Sequence, residues 1–310
     1  MTQDFAIESV PDSSSQSCAG TLYVIATPIG HRSDFSSRGL QLLCAVDLIA
    51  AEDTRMTQRL LDGSVVSGRF ISLNEHNESD RVARLIGALN TGQTVALVSD
   101  AGTPLISDPG FRLVDAAQAA GIRVSPVPGP CAAIAALSAS GLATDRFWFE
   151  GFLPARTAAR KKRLAELNGV PATLIFYVPA RDLPEVCDDL QLVFGSDRTA
   201  CLNRELTKLH ETVHRATISD LGQFIRDDSN QQRGEAVLVV EGNLAAEKSV
   251  SVDALGKELA QALPPSQAAA MLARLSGIKR KAAWARIERL RNNSYHDEPA
   301  ASSAFSEPDS

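Results

Sequence analysis

Val98-Ser99-Asp100-Ala101-Gly102-Thr103-Pro104-Leu105-Ile106-Ser107-Asp108-Pro109-Gly110 is the stretch on which the reading of the fold turns. An apolar run, Thr94–Val98, leads into it and reads as a buried strand, and a helical pattern, Phe111–Gly121, follows. The stretch is therefore a strand-to-helix loop at the carboxyl end of a strand, where open α/β sheets hold their ligands. Gly102 and Gly110 let the backbone come close to a ligand, while Pro104 and Pro109 stiffen the turns and withhold two amide donors. An ordinary βα connection carries the same punctuation. The spacing is neither G-x-G-x-x-G nor G-x-x-x-x-G-K-[ST], so neither dinucleotide nor P-loop chemistry is indicated.

Outward from this loop the chain alternates. Strands are expected at Leu22–Thr27, Leu48–Glu52, Phe70–Leu73, Thr94–Val98 and Ile122–Val127, with helices near Ser36–Val46, Met56–Leu61, Ser79–Leu89 and Phe111–Ala120 between them. Such alternation implies right-handed crossovers and a mostly parallel sheet covered on both faces, so residues 21–141 read as an α/β domain. Its other post-strand loops are Pro28-Ile29-Gly30-His31, Asp53-Thr54-Arg55, Asn74-Glu75-His76-Asn77-Glu78 and Pro128-Gly129-Pro130. Loops this rich in Gly, Pro and polar groups at one sheet edge are where a site assembles.

Gly141–Arg146 reads as a hinge. A second α/β domain, 142–243, then runs through strand Phe147–Phe152, helix Thr157–Leu167, strand Thr173–Val178, helix Leu183–Phe194, strands Thr199–Arg204 and Thr212–Ile218, helix Asp220–Arg226 and strand Ala236–Val240. A cleft between the two domains is the natural ligand site. A linker, Asn243–Val252, leads to a small C-terminal helical segment, 253–292, with a helix Ala254–Leu263, a short helix from Ser266 to Leu275, a turn at Ser276-Gly277 and a last helix Ile278–Arg291. The polar ends, 1–20 and 293–310, are expected to be disordered.

With 310 residues the chain is long enough for two domains, and it carries no apolar run near the roughly 20 residues of a membrane helix. Met1–Gly20 is Ser-rich and acidic, without the basic and apolar regions of a secretory signal, so a cytoplasmic location is expected. Five scattered cysteines without C-x-x-C spacing argue against disulfides and cysteine zinc sites. His210-Glu211-Thr212-Val213-His214 matches H-E-x-x-H, but it opens a β-rich stretch, where positions i and i+4 lie about 13 Å apart and cannot share a metal. No metal is expected.

Net charge is −6, so contact with nucleic acid would rest on local patches. Arg160-Lys161-Lys162-Arg163, with Arg156 one turn earlier, wraps more than one helical face, which is self-repulsive unless a polyanion or acidic partner compensates. Lys279-Arg280-Lys281, followed by Arg286, Arg289 and Arg291, opens the last helix of a helix–turn–helix pattern, a phosphate-facing arrangement. Either run could instead be a solvated face. Together they favour a nucleic-acid partner, with Arg156, Arg160, Lys161, Lys162, Arg163, Lys279, Arg280 and Lys281 as contacts.

Several strings are more specific. Leu22-Tyr23-Val24-Ile25-Ala26-Thr27-Pro28-Ile29-Gly30, Ala50-Ala51-Glu52-Asp53-Thr54-Arg55, the Ser99–Gly110 loop, Glu150-Gly151-Phe152-Leu153-Pro154 and Arg204-Glu205-Leu206-Thr207-Lys208 occur in this order. The chain from Thr21 to Arg291 thereby resembles the RsmI family of bacterial 16S ribosomal RNA (cytidine-2′-O)-methyltransferases, within the tetrapyrrole-methylase-like superfamily. It departs from the family's pattern at His31, where Asn is usual, and at Tyr177–Asp182, in place of a Tyr-Glu-Ser-Pro-His-Arg-like string. The resemblance implies two α/β domains of tetrapyrrole-methylase type, the class III S-adenosylmethionine methyltransferase fold. It also implies a homodimer that acts on 16S rRNA in the small ribosomal subunit, with S-adenosyl-L-methionine bound in the cleft. Carried over by position, the cofactor contacts are Pro28, Ser99, Asp100, Gly102, Thr103, Pro104, Ile106, Pro128, Gly129, Pro130, Ala132 and Ala133 from the first domain, and Phe152, Tyr177, Leu206, Glu235 and Ala236 from the second.

A ribose hydroxyl attacking a methyl on sulfur needs alignment and a base for its proton. Asp53, Glu75 and His76 are the candidates, because they follow strands of the first domain at the ligand edge; each could equally be a cap or turn residue. Two rival functions stand beside this one. A small-molecule, tetrapyrrole-like methyltransferase would have no use for the basic helical segment, and a non-catalytic RNA-binding protein would have none for the Gly- and Pro-rich cleft loops.

Overall fold

The computed structural model describes residues 20–74 and 77–294. Residues 1–19 and 295–310 of the polar ends fall outside these, as do Glu75 and His76; the disorder expected of the ends does not extend to Gly20, which is buried with its amide bonded to the Leu89 carbonyl at 2.7 Å, or to Asn293 and Ser294, which are helical. Two compact units emerge: one comprises the chain up to Arg163 together with Leu174–Glu241, and the other comprises Leu164–Thr173 and the chain from Gly242 onward.

The first unit opens with β1 (Thr21–Ile25), α1 (Ser37–Ala45), β2 (Leu48–Ala51), α2 (Thr54–Leu60), β3 (Arg69–Ser72), α3 (Glu78–Asn90), β4 (Val95–Val98), α4 (Phe111–Ala119), β5 (Arg123–Val127) and α5 (Ala132–Ala139). The strands form a parallel sheet in the order β3-β2-β4-β1-β5. Pro126, which cannot donate to a ladder, sits on the edge strand β5. Strand residues alternate between two cores, as a two-sided sheet requires. Leu22, Leu48, Ala50, Val95 and Leu97 pack with Leu85, Leu89 and Leu113 of α3 and α4. Ile25, Ile49, Ala51, Ala96 and Val98 pack with Leu43 of α1 and Leu61 beyond α2.

This order creates a switch point. Neighbouring strands β1 and β4 send their chains in opposite directions, to β2 and β5, so right-handed crossovers place α1 and α4 on opposite faces. At such a switch point, beyond the carboxyl ends of the strands, open α/β sheets hold their ligands.

The chain continues with β6 (Phe147–Phe152), α6 (Thr157–Leu167), β7 (Thr173–Pro179), α7 (Leu183–Phe194), β8 (Thr199–Arg204), β9 (Thr212–Thr217), α8 (Ile218–Asp227) and β10 (Glu235–Val240), all in the first unit except the end of α6 from Leu164 and the first residue of β7. Their sheet runs β6-β7-β10-β8-β9, and β7–β10, β10–β8 and β8–β9 pair antiparallel. No helix intervenes between β8 and β9, so the chain returns directly alongside itself. The small-residue helix α5 closes the first half yet packs on the second sheet, with Ala133, Ala136 and Leu137 against Ile175, Cys201, Val237 and Val239.

The second unit holds α9 (Leu244–Ala262), α10 (Pro265–Ser276) and α11 (Arg280–Ser294). Helix α9 begins at Leu244, so the stretch read as a linker is helical. Ala260, Ala268, Ala269, Leu272, Ala283 and Ile287 form the core. Gly277, at φ 72°, ends α10 in the left-handed region and makes the turn into α11.

Candidate active site

The Ser99–Gly110 loop is held from both ends. At its start, Thr27 and Gly102 exchange backbone hydrogen bonds of 2.8 and 3.1 Å, tying it to the end of β1. Thr103 Oγ1 donates to the Pro130 carbonyl at 2.9 Å, tying it to the loop after β5. At its end, Gly110 has φ 123° and lies where a Cβ would come within 2.7 Å of Leu97, so only glycine fits. With no cap side chain there, buried Glu78 Oε1 accepts from the amides of Gly110 and Arg112 at 3.2 and 3.0 Å.

Facing it is the loop Glu205–Glu211 between β8 and β9. Buried Arg204 shapes it by donating to the Gln231 side chain and to the carbonyls of Arg233 and His210 at 2.9–3.0 Å. Glu205 accepts from Lys208 Nζ at 2.9 Å and from the Glu235 amide at 3.0 Å, and Lys208 also pairs with Glu235. The loop after β1 meets this β8–β9 loop at Gly30: a Cβ there would stand 2.6 Å from Thr207 Oγ1, which accepts from the His31 amide at 2.9 Å. Among the described residues, the non-glycine positions with positive φ are Leu105, Ser107, Glu205 and Thr207, all on the Ser99–Gly110 and Glu205–Glu211 loops. Backbone strain of this kind gathers at ligand sites.

Between the loops lies a cleft of about 450 Å³. Gly102, Thr103, Ile106, Ala132, Phe152, Tyr177, Leu206, Glu235 and Ala236 line it. Pro28, Ser99, Asp100, Pro104, Pro128, Gly129, Pro130 and Ala133, also expected as contacts, do not line it; of these, Ser99 Oγ bonds the Gly102 carbonyl, the Pro130 carbonyl accepts from Thr103, and the Ala133 amide donates to Tyr177 Oη at 3.2 Å, whereas Asp100, Pro128 and Gly129 are exposed. Burial raises the Tyr177 hydroxyl far above its usual range, keeping it neutral, and Phe149 and Phe152 meet its ring edge-on.

Sequence reasoning missed three groups in this wall. Asn203 on β8 is fully buried and lines the cleft; its Nδ2 bonds the Cys201 and Val237 carbonyls, while its Oδ1 has no partner. Nothing in an apolar strand marks such a residue until its neighbours are known. Lys208, with Glu205, lies in the quoted Arg204–Lys208 string. Asp108 lies in the loop that opened the reading, where it looked like a turn residue.

Of the candidate bases, Asp53 caps α2 and is not in the cleft. Hydrogen bonds from the Arg55 side chain and amide hold its carboxyl down to about 2, which makes it a poor proton acceptor. Glu75 and His76 lie outside the described residues. His210 sits in the turn before β9, and His214 on β9 stacks on Phe224 with ring centres 4.1 Å apart.

The basic runs divide. Arg160, expected to face RNA, is 3% exposed and pairs with Asp189 at 2.6 Å and Glu185 at 3.3 Å on α7, so burial removes it from any RNA surface. Lys161 also reaches Asp189, and Arg163 holds Glu150 on β6 at 2.6 Å. Arg156 and Lys162 are exposed, as are Lys279, Arg280 and Lys281 at the start of α11.

Comparisons agree with this architecture. A family model for tetrapyrrole (corrin/porphyrin) methylases matches residues 21–222, and one for the RsmI C-terminal HTH domain matches residues 246–291. The ribosomal RNA small subunit methyltransferase I of Escherichia coli O157:H7 is 47% identical over 273 residues, 87% of this chain and 96% of its own. That of Pseudomonas aeruginosa is 50% identical over 266 residues, covering 84% and 94%. Among solved structures, the methyltransferase CobJ superposes with a TM-score of 0.54 at 19% identity, covering 72% of this chain and 94% of its own. A cobalt precorrin-4 methyltransferase, CbiF, gives 0.52 at 19%, covering 71% and 94%. These last two share the fold.

Proposed function

The chain belongs to the tetrapyrrole (corrin/porphyrin) methylase family, in its ribosomal RNA methyltransferase branch, and from that premise we propose that it methylates the 2′-hydroxyl of a cytidine in 16S rRNA, on the small ribosomal subunit, as a cytoplasmic homodimer. Its methyl donor is S-adenosylmethionine.

The observation that carries this reading is the cleft at the switch point of the first sheet. Its 450 Å³ falls within the size range of small-molecule sites. The wall holds an unpartnered buried acceptor, Asn203 Oδ1, suited to a ligand bearing amino groups. Gly102, at φ 86°, holds a turn of the wall that only glycine adopts without strain, since a Cβ there would stand 3.3 Å from Ile29. The cleft carboxylates and the faces of Phe152 and Tyr177 suit a cationic ligand. These residues fit S-adenosylmethionine: Gly102, Thr103, Ile106 and Ala132 would hold it from the first sheet, and Tyr177, Asn203, Leu206 and Ala236 from the second. When bound, the donor supplies a methyl group already activated on a positive sulfur. What remains for the chain is to orient a ribose oxygen and exclude water, and such positioning contributes on the order of 7–11 kcal/mol. The exposed cations of α11 supply the phosphate contacts, for which a small-molecule methyltransferase would have no need.

The test combines binding and mapping. Calorimetry should show saturable S-adenosylmethionine binding that Gly102→Val abolishes, since a β-branched side chain is strained at φ 86° and crowds Ile29, which displaces the loop lining the cleft. Small subunits from a strain lacking this gene should gain one ribose methyl on a 16S cytidine, read by mass mapping. A flat titration of folded protein, or a methyl on a base or on another RNA, would refute the assignment.

A further inference from the structure

We propose that Trp284 stacks on an unpaired base of the ribosomal RNA, beside the phosphates that the cations of α11 hold. The inference rests on the functional reading above and deepens it, by naming the kind of RNA structure the second unit takes. In α11, Ala283 and Ile287 are buried in the core of that unit. Trp284 follows Ala283 by one position, which turns it out of the core onto a flank of the helix, and it stands 40% exposed. Among the described residues its indole N–H has no acceptor, and its ring meets neither another aromatic nor a cation. Three and four positions earlier come Lys281 and Arg280, both exposed, so the three side chains share a face. A helical side chain leans over the turn before its own Cα, which brings the ring toward the turn that carries the two cations. Glu288, the carboxylate of that face, comes one turn after Trp284. The order along the face is cation, ring, carboxylate, so a polyanion is favoured at the start of the helix and disfavoured beyond the ring.

Cations alone would serve any RNA, because phosphate contacts position a protein without selecting what lies between them. The ring adds a choice. In duplex RNA every base is already stacked on its neighbours and the deep major groove admits no side chain, whereas a base splayed out of a loop or junction offers a free face to an aromatic. Such a stack accepts any base, since every base has a π-face. A membrane surface would also take a tryptophan among cations, but it needs an apolar face to bury. Helix α11 turns Ala283 and Ile287 into the protein, and among the described residues Trp284 is its one large exposed apolar side chain.

The test uses the full chain. Its tryptophans are Trp148 and Trp284, so Trp148→Phe leaves Trp284 as the sole indole emitter. In that variant a mixed-sequence RNA strand of about 12 nucleotides should quench the fluorescence, while the same strand annealed to its complement, or vesicles of anionic phospholipid, should leave it unchanged. Trp284→Ala, with melting temperature and S-adenosylmethionine affinity unaltered, should bind small subunits lacking the methyl group roughly 5–100-fold more weakly. The slope of log K against log salt should stay as it was, because a stack releases no counterions. Trp284→Tyr should recover most of the affinity, since it restores an aromatic face. Equal quenching by strand and duplex, quenching by vesicles and not by the strand, a flattened salt slope, or a Trp284→Ala affinity within about twofold overturns the proposal. Failure of the unmodified protein to methylate the subunit would instead sink the functional reading beneath it.

Discussion

Two runs of cations on two helices meet opposite ends. On α6, Arg160, Lys161 and Arg163 turn onto carboxylates that α7 and β6 bring to them, and Arg160 disappears into the interior. On α11, Lys279, Arg280 and Lys281 stand exposed at a helix N-terminus, where the dipole disfavours positive charge, and none pairs with a carboxylate among the described residues. A charge run therefore says only that compensation is needed. Whether the fold or a ligand supplies it depends on what packs opposite, and the uncompensated run is the one we propose faces RNA.

The largest break in this contrast would come from Arg160→Ala. It strands Asp189 in the interior with only Lys161 nearby, which should cost about 3–5 kcal/mol and lower the melting temperature by roughly 6–15 °C. Replacing the pair together, as Arg160→Met with Asp189→Leu, should recover most of the loss, because the penalty is that of an orphaned charge. A melting point of Arg160→Ala within 2 °C of the unmodified protein would put both runs in the same class.

Next in size is the triple change of Lys279, Arg280 and Lys281 to Ala. Stability and donor affinity should hold, while binding to the small subunit weakens and the slope of log K against log salt flattens by roughly 2–3. An unchanged slope would show that these cations touch no phosphate and would end their role in docking.

The smallest effect sharpens the intermediate case, Arg163 with Glu150. The hydrogen bond from Arg163 outweighs burial and holds the Glu150 carboxyl below its ordinary 4.5. A depressed folded-state value means stability present above about pH 4.5 and lost as pH falls through the lower value. The Arg163 side chain is 35% exposed, so the contribution should be below about 1 kcal/mol. Denaturant titrations at pH 7 and pH 3.5 should show Glu150→Gln less stable at pH 7, with a smaller gap from the unmodified chain at pH 3.5. An equal gap at both values would assign the loss to packing.

Much of the first sheet was legible because burial on both faces writes itself as short apolar runs, and Gly and Pro mark the loops where those runs stop. The switch point between β1 and β4 was not, since strand order leaves no local trace. The second sheet kept its strand positions but concealed its direction, because an alternating run reads the same parallel or antiparallel. At the site the loops were plain and their occupants partly so. Asn203 acquires meaning only from a partner it lacks, Asp53 turned from base into cap once Arg55 folded over it, and Arg160 went astray because its acidic partners lie on another helix, 25 and 29 positions along the chain.

Helix α5 sets a waiting time. It is made with the first half of the molecule, but its buried face belongs to strands that include β10, about 100 residues further on, from Leu137 to Val237. At a synthesis rate of about 5–20 residues per second, that face stays uncovered for roughly 5–20 s on the ribosome. A buried face of two alanines and one leucine exposes a modest sticky surface during that interval, so the small residues of α5 suit an element that must remain soluble before its partner exists.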